Sequence, residues 1–346
     1  MFRYPVAWTR VTWLTVLLVP LAWVFGAVTA ARRALYRARP ALSVRLPVPV
    51  IVVGNISVGG TGKTPLVLWL AARLREAGWQ PGIISRGYAG NAAQQPGAVQ
   101  PGDDPATCGD EPVLLARRSQ CPVWISSNRV AAARALLAAH PACNVLISDD
   151  GLQHYRLARD VEIAVLDATR KDAAGGESGL GNGWLLPAGP LREPPSRLAR
   201  VDAIVVRGQH EPVAAHVPPR YGMTLTPTGF YPLRDATIHA NAQHFQSLRV
   251  HAVAGIGHPQ QFFDTLTRMG VAHVPHAFPD HHPYRAADIT FDACDAVVMT
   301  EKDAVKCERF AADHHRLADS LWVLQADAEI HGTLLQHVLK RLSRKP

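Results

Sequence analysis

The chain has 346 residues, 48% hydrophobic and 18% charged, with 36 Lys+Arg against 28 Asp+Glu for a formal net charge of +8. This composition excludes a disordered chain and a small disulfide-stapled scaffold, and the length suits roughly two ordinary domains. The five cysteines (Cys108, Cys121, Cys143, Cys294 and Cys307) are odd in number and lack CxxC spacing, against both a disulfide framework and a structural zinc site.

The positive charge is unevenly placed. Residues 1–75 hold ten basic side chains and no acidic one, while the remaining 271 hold 26 basic and 28 acidic, a balance of −2. A nucleic-acid partner would need basic residues across the folded part, so none is expected. Residues 11–31 are an uncharged run of 21. As a helix they span about 31 Å, the thickness of a bilayer core. Trp8, Trp13 and Trp23 suit membrane interfaces, and Pro20 sits inside the run. Arg3 and Arg10 precede it, and Arg32, Arg33, Arg37, Arg39 and Arg45 follow. The expectation is a membrane anchor over residues 1–45, spanning or embedded, with its C-terminal side cytoplasmic and its arginines near anionic lipid headgroups. A cleaved signal peptide fits poorly, because arginines crowd the end of the run. A buried soluble helix is the third reading.

Residues 48–53 (VPVIVV) read as a buried parallel strand, leading into Gly54-Asn55-Ile56-Ser57-Val58-Gly59-Gly60-Thr61-Gly62-Lys63-Thr64 and a helix over 65–77 with Pro65 in its first turn. Strand, glycine-rich turn and helix is the context of a nucleotide P-loop. Backbone N–H groups of Gly59, Gly60, Thr61 and Gly62 would curl around phosphate oxygens, Lys63 would reach the β and γ phosphates, and the Thr64 hydroxyl would meet Mg²⁺. The usual GxxxxGK[ST] pattern would place glycine where Ser57 stands.

A strand over 82–85 follows. Cys108-Gly109-Asp110-Glu111-Pro112 then precedes a helix over 113–118. Asp110 reads equally as a base for a hydroxyl proton or as a helix cap. A strand over 123–126 and a helix over 130–139 lead to the strand 145–148, which ends in Asp149-Asp150-Gly151-Leu152-Gln153-His154. Carboxylates at the end of a strand beside the P-loop strand are the Walker B arrangement for Mg²⁺. Adjacent strand-end residues point to opposite sides, so Asp149 and Asp150 are not expected to ligate equally.

After a strand over 161–167, residues 172–197 hold six glycines and four prolines in 26 positions. Such a loop is too long for a mere connector and suits a substrate-covering role. Strand 203–206 closes the first α/β unit, and residues 221–248 read as a linker hairpin. A second unit has strands 249–254, 272–274, 296–300 and 321–324, with helices over 259–269, from 304, and over 330–342. Within it, Asp280-His281-His282-Pro283 reads as a metal cluster, a pair supporting an acid, or surface histidines. Fourteen of the 16 histidines lie beyond residue 200, so a single one there carries little weight. A GTPase reading is weakened by Thr300-Glu301-Lys302-Asp303, where the lysine is one place late for guanine recognition, and by the lack of DxxG after the strand 145–148.

In order along the chain stand GNISVGGTGKTP, SRGY (85–88), GDEP, SDDGLQH, GNGWLLPAGPLRE, FPDHHPY (278–284) and TEKDAVK (300–306). With the N-terminal apolar segment, these resemble the tetraacyldisaccharide 4′-kinases of bacterial lipid A synthesis over nearly the whole length. In that family Ser57 is no departure. The resemblance implies a P-loop NTPase-like fold of two α/β/α domains with mainly parallel sheets, joined by a two-stranded linker, plus an N-terminal membrane helix. The expected division is 1–45 anchor, 46–220 nucleotide domain, 221–248 linker and 249–346 smaller domain. The implied reaction moves the γ-phosphoryl of ATP, with Mg²⁺, to the 4′-hydroxyl of a glycolipid disaccharide at the cytoplasmic face of the inner membrane, with no obligate protein partner. By the same resemblance Lys63 and Thr64 serve the phosphates and metal. Asp149 and Asp150 are the metal and catalytic carboxylates, and Asp110 is the base, paired with a histidine of the DHH segment, His281 ahead of His282. Gln153, His154, Glu193 and Arg129 are further site residues. The competing reading is a membrane-anchored P-loop ATPase acting on a protein partner.

Overall fold

The computed structural model describes residues 8, 10–87, 95–169, 179–208, 218–313 and 315–343. Tyr88 and residues 172–178 of the long loop lie outside the described residues. Helices α1 (Trp13–Leu17) and α2 (Val19–Ala38) precede β1 (Val50–Gly54), α3 (Lys63–Glu76), β2 (Pro81–Ser85), β3 (Gly97–Val99) and α4 (Pro105–Cys108). Then come α5 (Asp110–Ser119), β4 (Val123–Ile125), α6 (Arg129–Ala139), β5 (Val145–Ser148), β6 (Val161–Asp167) and β7 (Ala203–Arg207). The long β8 (Arg220–Pro232) leads to β9 (Val250–Ala254), α7 (Pro259–Arg268), β10 (His273–Ala277) and β11 (Ala296–Thr300). The chain ends with α8 (Glu301–Asp313), α9 (His315–Ser320), β12 (Leu321–His331) and α10 (Leu334–Leu342).

The strands form one sheet in the order β10-β9-β11-β12-β8-β7-β6-β1-β5-β2-β4-β3. Every neighbouring pair is parallel except β3–β4 and β8–β12. The fold is therefore mixed α/β with a large, mainly parallel sheet, the class expected from alternating strands and helices. Strand β1 (VIVVG) is buried along its length between β5 and β6, which is why it reads as a continuous β-branched run without alternation. On one face Ile51 and Val53 pack with Leu66, Leu70 and Leu74 of α3; on the other Val50 and Val52 pack with Ala133 and Leu136 of α6.

Three expectations are corrected. First, no described helix is long and apolar enough to cross a membrane. The uncharged run is split: α1 ends at Leu17, Pro20 falls in the first turn of α2, and α2 continues into Arg32, Arg33 and Arg37. Proline has no N–H to give and is tolerated at a helix start, so it marks a new helix there. Second, residues 221–248 are not a hairpin. They hold most of β8, followed by turns and one antiparallel bridge from Phe230 to Ala240. The second strand of the connection is β12, paired antiparallel with β8 from Trp322–Pro232 to His331–Gly222. Third, the C-terminal helix does not stay with the second half. Leu334, Val338 and Leu342 of α10 are buried in the same cluster as Leu66 and Leu70 of α3. The helix expected from residue 330 begins only at Leu334, because β12 runs on to His331.

Candidate active site

The loop after β1 is held open at both ends. Gly62 has φ +87°, and a Cβ there would meet Arg207 and Met223 at 3.1 Å, so only glycine fits. Asn55, fully buried, donates from Nδ2 to Thr61 Oγ1 at 3.1 Å. From outside, Val58 N–H donates to the Pro190 carbonyl at 2.9 Å and Arg192 N–H to the Ile56 carbonyl at 2.7 Å. The glycine-rich loop and the GNGWLLPAGPLRE loop are thus one packed unit. Lys63 opens α3 and is nearly buried, with Nζ 3.5 Å from Asp150 Oδ1. Arg192 holds the same carboxylate at 3.0 Å. Gly59, Gly60 and Thr61 lie in this loop, and Thr64 is in the first turn of α3 beside Lys63.

Asp149 and Asp150 follow β5, next to β1. Their environments differ sharply. Asp149 is buried and pushed up to about 7 by desolvation and by the negative charge of Glu111, against the pull of Lys63. Burial also penalises ionised Asp150, but Lys63 and Arg192 outweigh it and hold that carboxyl well below the usual range. Asp150 has φ +47°, a strained backbone for a residue with a Cβ, and such strain collects at functional sites. Among the described residues, Oδ1 of Asp149, Oδ1 of Asn55, Nε of Arg129 and Nε2 of His154 are buried without a hydrogen-bond partner. Buried polar atoms normally have partners, so Asp149 Oδ1 at the strand end is open to a polar ligand.

Arg129, the first residue of α6, lies behind this carboxylate pair. It donates to the carbonyls of Ser126 at 3.0 Å and Asp149 at 3.3 Å. Burial lowers it to about 10 against the attraction of Asp149 and Asp150. Gln153 ties the P-loop to Glu193, donating to the Asn55 carbonyl at 3.0 Å and to Glu193 Oε1 at 2.9 Å. Glu193 is also held by Tyr155 at 2.6 Å and Arg33 at 3.1 Å. His154 is kept neutral, lowered to about 4 by burial and then by Arg129 and Arg159.

Asp110 opens α5 as a buried carboxylate, and His281 Nδ1 lies 3.0 Å from its Oδ2. His282 turns away to Asp288 at 3.0 Å, so His281 is the one that faces Asp110. Among the described residues no group of three His, Cys, Asp or Glu converges as a metal site, and the DHH segment instead serves two carboxylates. Lys302 completes the cluster. Its Nζ is 3.1 Å from Glu111, 3.2 Å from Asp280, 3.4 Å from His281 Nε2 and 3.9 Å from Asp110. Burial opposes ionised Asp110, yet the His281 hydrogen bond and then Lys302 hold it far below the ordinary carboxylate value. Ion pairs from Arg117 to Glu308 and from Arg118 to Glu301 and Asp327 fasten α5 to α8 and β12 around it. Lys302, Arg192, Asn55 and Tyr155 were not singled out from sequence. Lys302, Arg192 and Asn55 stood inside quoted motifs, and for the first two the signal was a charge flanked by site residues.

Helices α3 and α5, which open with Lys63 and Asp110, pack in one core, and the charge of Glu111 raises Asp149. A lysine at the head of a helix after a glycine-rich loop, carboxylates at the neighbouring strand end and a buried carboxylate–histidine pair are the parts that phosphoryl movement from a nucleotide asks for, and in class the chain is a phosphotransferase.

A family model described as tetraacyldisaccharide-1-P 4′-kinase matches residues 14–343. A tetraacyldisaccharide 4′-kinase of Aromatoleum aromaticum is 50% identical over 344 residues, covering 98% of this chain and 97% of the relative. One from Azoarcus sp. is 51% identical over 331 residues, covering 94% and 91%. A crystal structure of LpxK from Aquifex aeolicus in complex with ATP superposes with a TM-score of 0.75 at 28% identity, covering 96% of this chain and 99% of that one. The chain belongs to the tetraacyldisaccharide-1-phosphate 4′-kinase family, and it is a kinase of lipid A biosynthesis.

Proposed function

We propose that the chain transfers the γ-phosphoryl of ATP to the 4′-hydroxyl of a tetraacylated glucosamine disaccharide 1-phosphate, forming lipid IVA at the cytoplasmic face of the inner membrane. The observation that carries this is the Asp110–His281 pair at the head of α5, the helix packed against α3, which Lys63 opens. A sugar hydroxyl is a weak nucleophile, and a loose phosphoryl transition state asks for orientation and late proton removal more than for a strong base. Asp110, kept ionised, accepts the hydroxyl's hydrogen bond and then its proton. His281 orients Asp110 through Nδ1, and Lys302 neutralises the surrounding carboxylates. Lys63 and the N–H groups of Gly59 to Gly62 hold the transferring phosphate oxygens.

Mg²⁺ fits the donors present: Asp149 Oδ1 is buried and unpartnered, and Asp150 and Thr64 add hard oxygens. Mg²⁺ takes few protein ligands and completes its shell with phosphate oxygens and water. When bound it supplies charge neutralisation on the phosphates. Gln153 and Glu193 would brace the glycine-rich loop, and Arg129 would steady the Asp149 backbone.

The unit around β1–β7 would bind nucleotide and the unit around β9–β11 would carry His281 and Lys302. The β8–β12 pair would be the hinge between them, so closure would exclude water and suppress ATP hydrolysis. Membrane placement is read from α2. Its inward face is small, with Ala22 buried and Gly26 so close to Leu185 that a Cβ would lie 2.8 Å from it. Its outward face exposes Leu21, Trp23, Val24 and Val28, continuing from Trp13, Val16 and Leu17 of α1. A helix with large apolar groups outward and small ones inward suits partial insertion in a bilayer surface. The test is phosphate transfer to the disaccharide lipid in detergent with ATP and Mg²⁺. ATP hydrolysis indifferent to lipid would favour the ATPase reading instead.

A further inference from the structure

Beyond the phosphate loop, a cavity of about 450 Å³ opens between the C-terminal end of α2 and the segment after Gln153. Six arginines line it, Arg33, Arg37, Arg45, Arg159, Arg197 and Arg200, with Tyr36, Tyr155, Ser43 and a single carboxylate, Glu162. Arg33 and Arg197 also meet Glu193, and Arg45 meets Asp160. Six positive charges against Glu162, Glu193 and Asp160 leave three in excess. Among the described residues no ion pair engages Arg37 or Arg200, which are both exposed at the rim.

The floor of the cavity is built, not merely charged. Arg197 is 5% exposed and pairs with Glu162 at 2.7 Å, and Arg159 pairs with the same carboxylate at 2.8 Å. Tyr36 and Tyr155 rings stand 6.0 Å apart as a wall. All six cations are arginine, whose planar fork matches phosphate oxygens two at a time. The position adds a source for such oxygens. Arg33 lies five residues beyond Val28, about 7.5 Å of helix past the last exposed valine of the apolar face. That is the depth of the headgroup layer when the apolar face is embedded.

We propose that this arginine cavity is a second anion site, distinct from the P-loop, that takes the phosphate group of a lipid headgroup. Through Arg33 and Arg197 its occupant bears on Glu193, and through Glu193 on Gln153 and the phosphate loop. The proposal rests on the membrane placement above and not on the transfer chemistry.

The test uses the full chain in neutral detergent with glycerol 3-phosphate as probe, read by calorimetric titration beside MgATP on the same sample. The expected result is saturable binding of one glycerol 3-phosphate, lost in the double variant Arg37→Glu, Arg200→Glu and kept in Arg39→Glu, a neighbouring exposed arginine that does not line the cavity. No binding by the parent chain, or equal loss in Arg39→Glu, overturns the site in favour of diffuse charge. Loss of MgATP binding by the parent chain would count against the kinase reading alone. Two arms then separate the sources. A raised KM of the double variant for the phosphorylated disaccharide, but not for its dephosphorylated form, assigns the cavity to the substrate's own phosphate. Vesicle binding that weakens about fivefold per arginine on phosphatidylglycerol and not on phosphatidylcholine assigns it to a neighbouring lipid. Neither change overturns the lipid assignment.

Discussion

His281 Nδ1 sits 3.0 Å from Asp110 Oδ2, joining residues 171 positions apart in the chain. The ionised carboxylate accepts, so Nδ1 carries the proton and Nε2 faces Lys302 at 3.4 Å. His281 has φ +59°, a strained conformation that this contact helps hold.

Asp110→Asn keeps the shape but removes the proton acceptor. The turnover number should fall about 10²- to 10⁴-fold while the KM for ATP stays within a small factor. Steady-state kinetics with the disaccharide lipid decide it. An unchanged turnover number would remove Asp110 from the chemistry.

The imidazole of His281 should titrate above 6.5, raised chiefly by its hydrogen bond to Asp110 against burial and Lys302. For a group raised on folding, the stabilisation is fully present below the unfolded value and is lost as pH rises through the folded value. Histidine NMR on the full chain should give that higher midpoint, and Asp110→Asn should lower it. A midpoint below 6.5 in the parent chain contradicts the pairing.

Lys302→Met leaves Glu111, Asp280 and Asp110 clustered without their cation. Denaturant unfolding should register a loss of about 3 kcal/mol, the usual consequence of stranding buried carboxylates. The His281 midpoint should move up, because Lys302 lowers it in the native cluster. An unchanged midpoint would mean that Lys302 acts on packing only.

Lys63→Ala should abolish transfer and leave vesicle binding intact. Leu21→Asp with Val24→Asp should do the reverse: weaker vesicle binding, with the turnover number kept in detergent. Parallel loss of both properties in either variant would defeat this separation of roles.

Much of this was legible because it is local. The VIVVG strand, the glycines of the loop and Lys63 at the head of α3 depend on neighbours in the chain, and the boundaries read for β5 and β6 match those observed. Residues 11–31 misled only as a single spanning helix, because hydropathy counts residues without asking which face they occupy. Ala22 and Gly26 turn inward, while Trp23 and Val24 turn out.

By itself the sequence determined the glycine-rich loop between a strand and a helix, the carboxylates at the end of strand 145–148 and the charge asymmetry, since spacing and residue type are enough to state them. Only the tertiary structure decided that His281 rather than His282 meets Asp110, that Lys302 is their shared cation, that β12 rather than a local hairpin completes the connection, and that α10 returns to α3. Those outcomes depend on sheet order and helix docking over separations of many tens of residues. No local backbone preference encodes them; the packing of the whole sheet does.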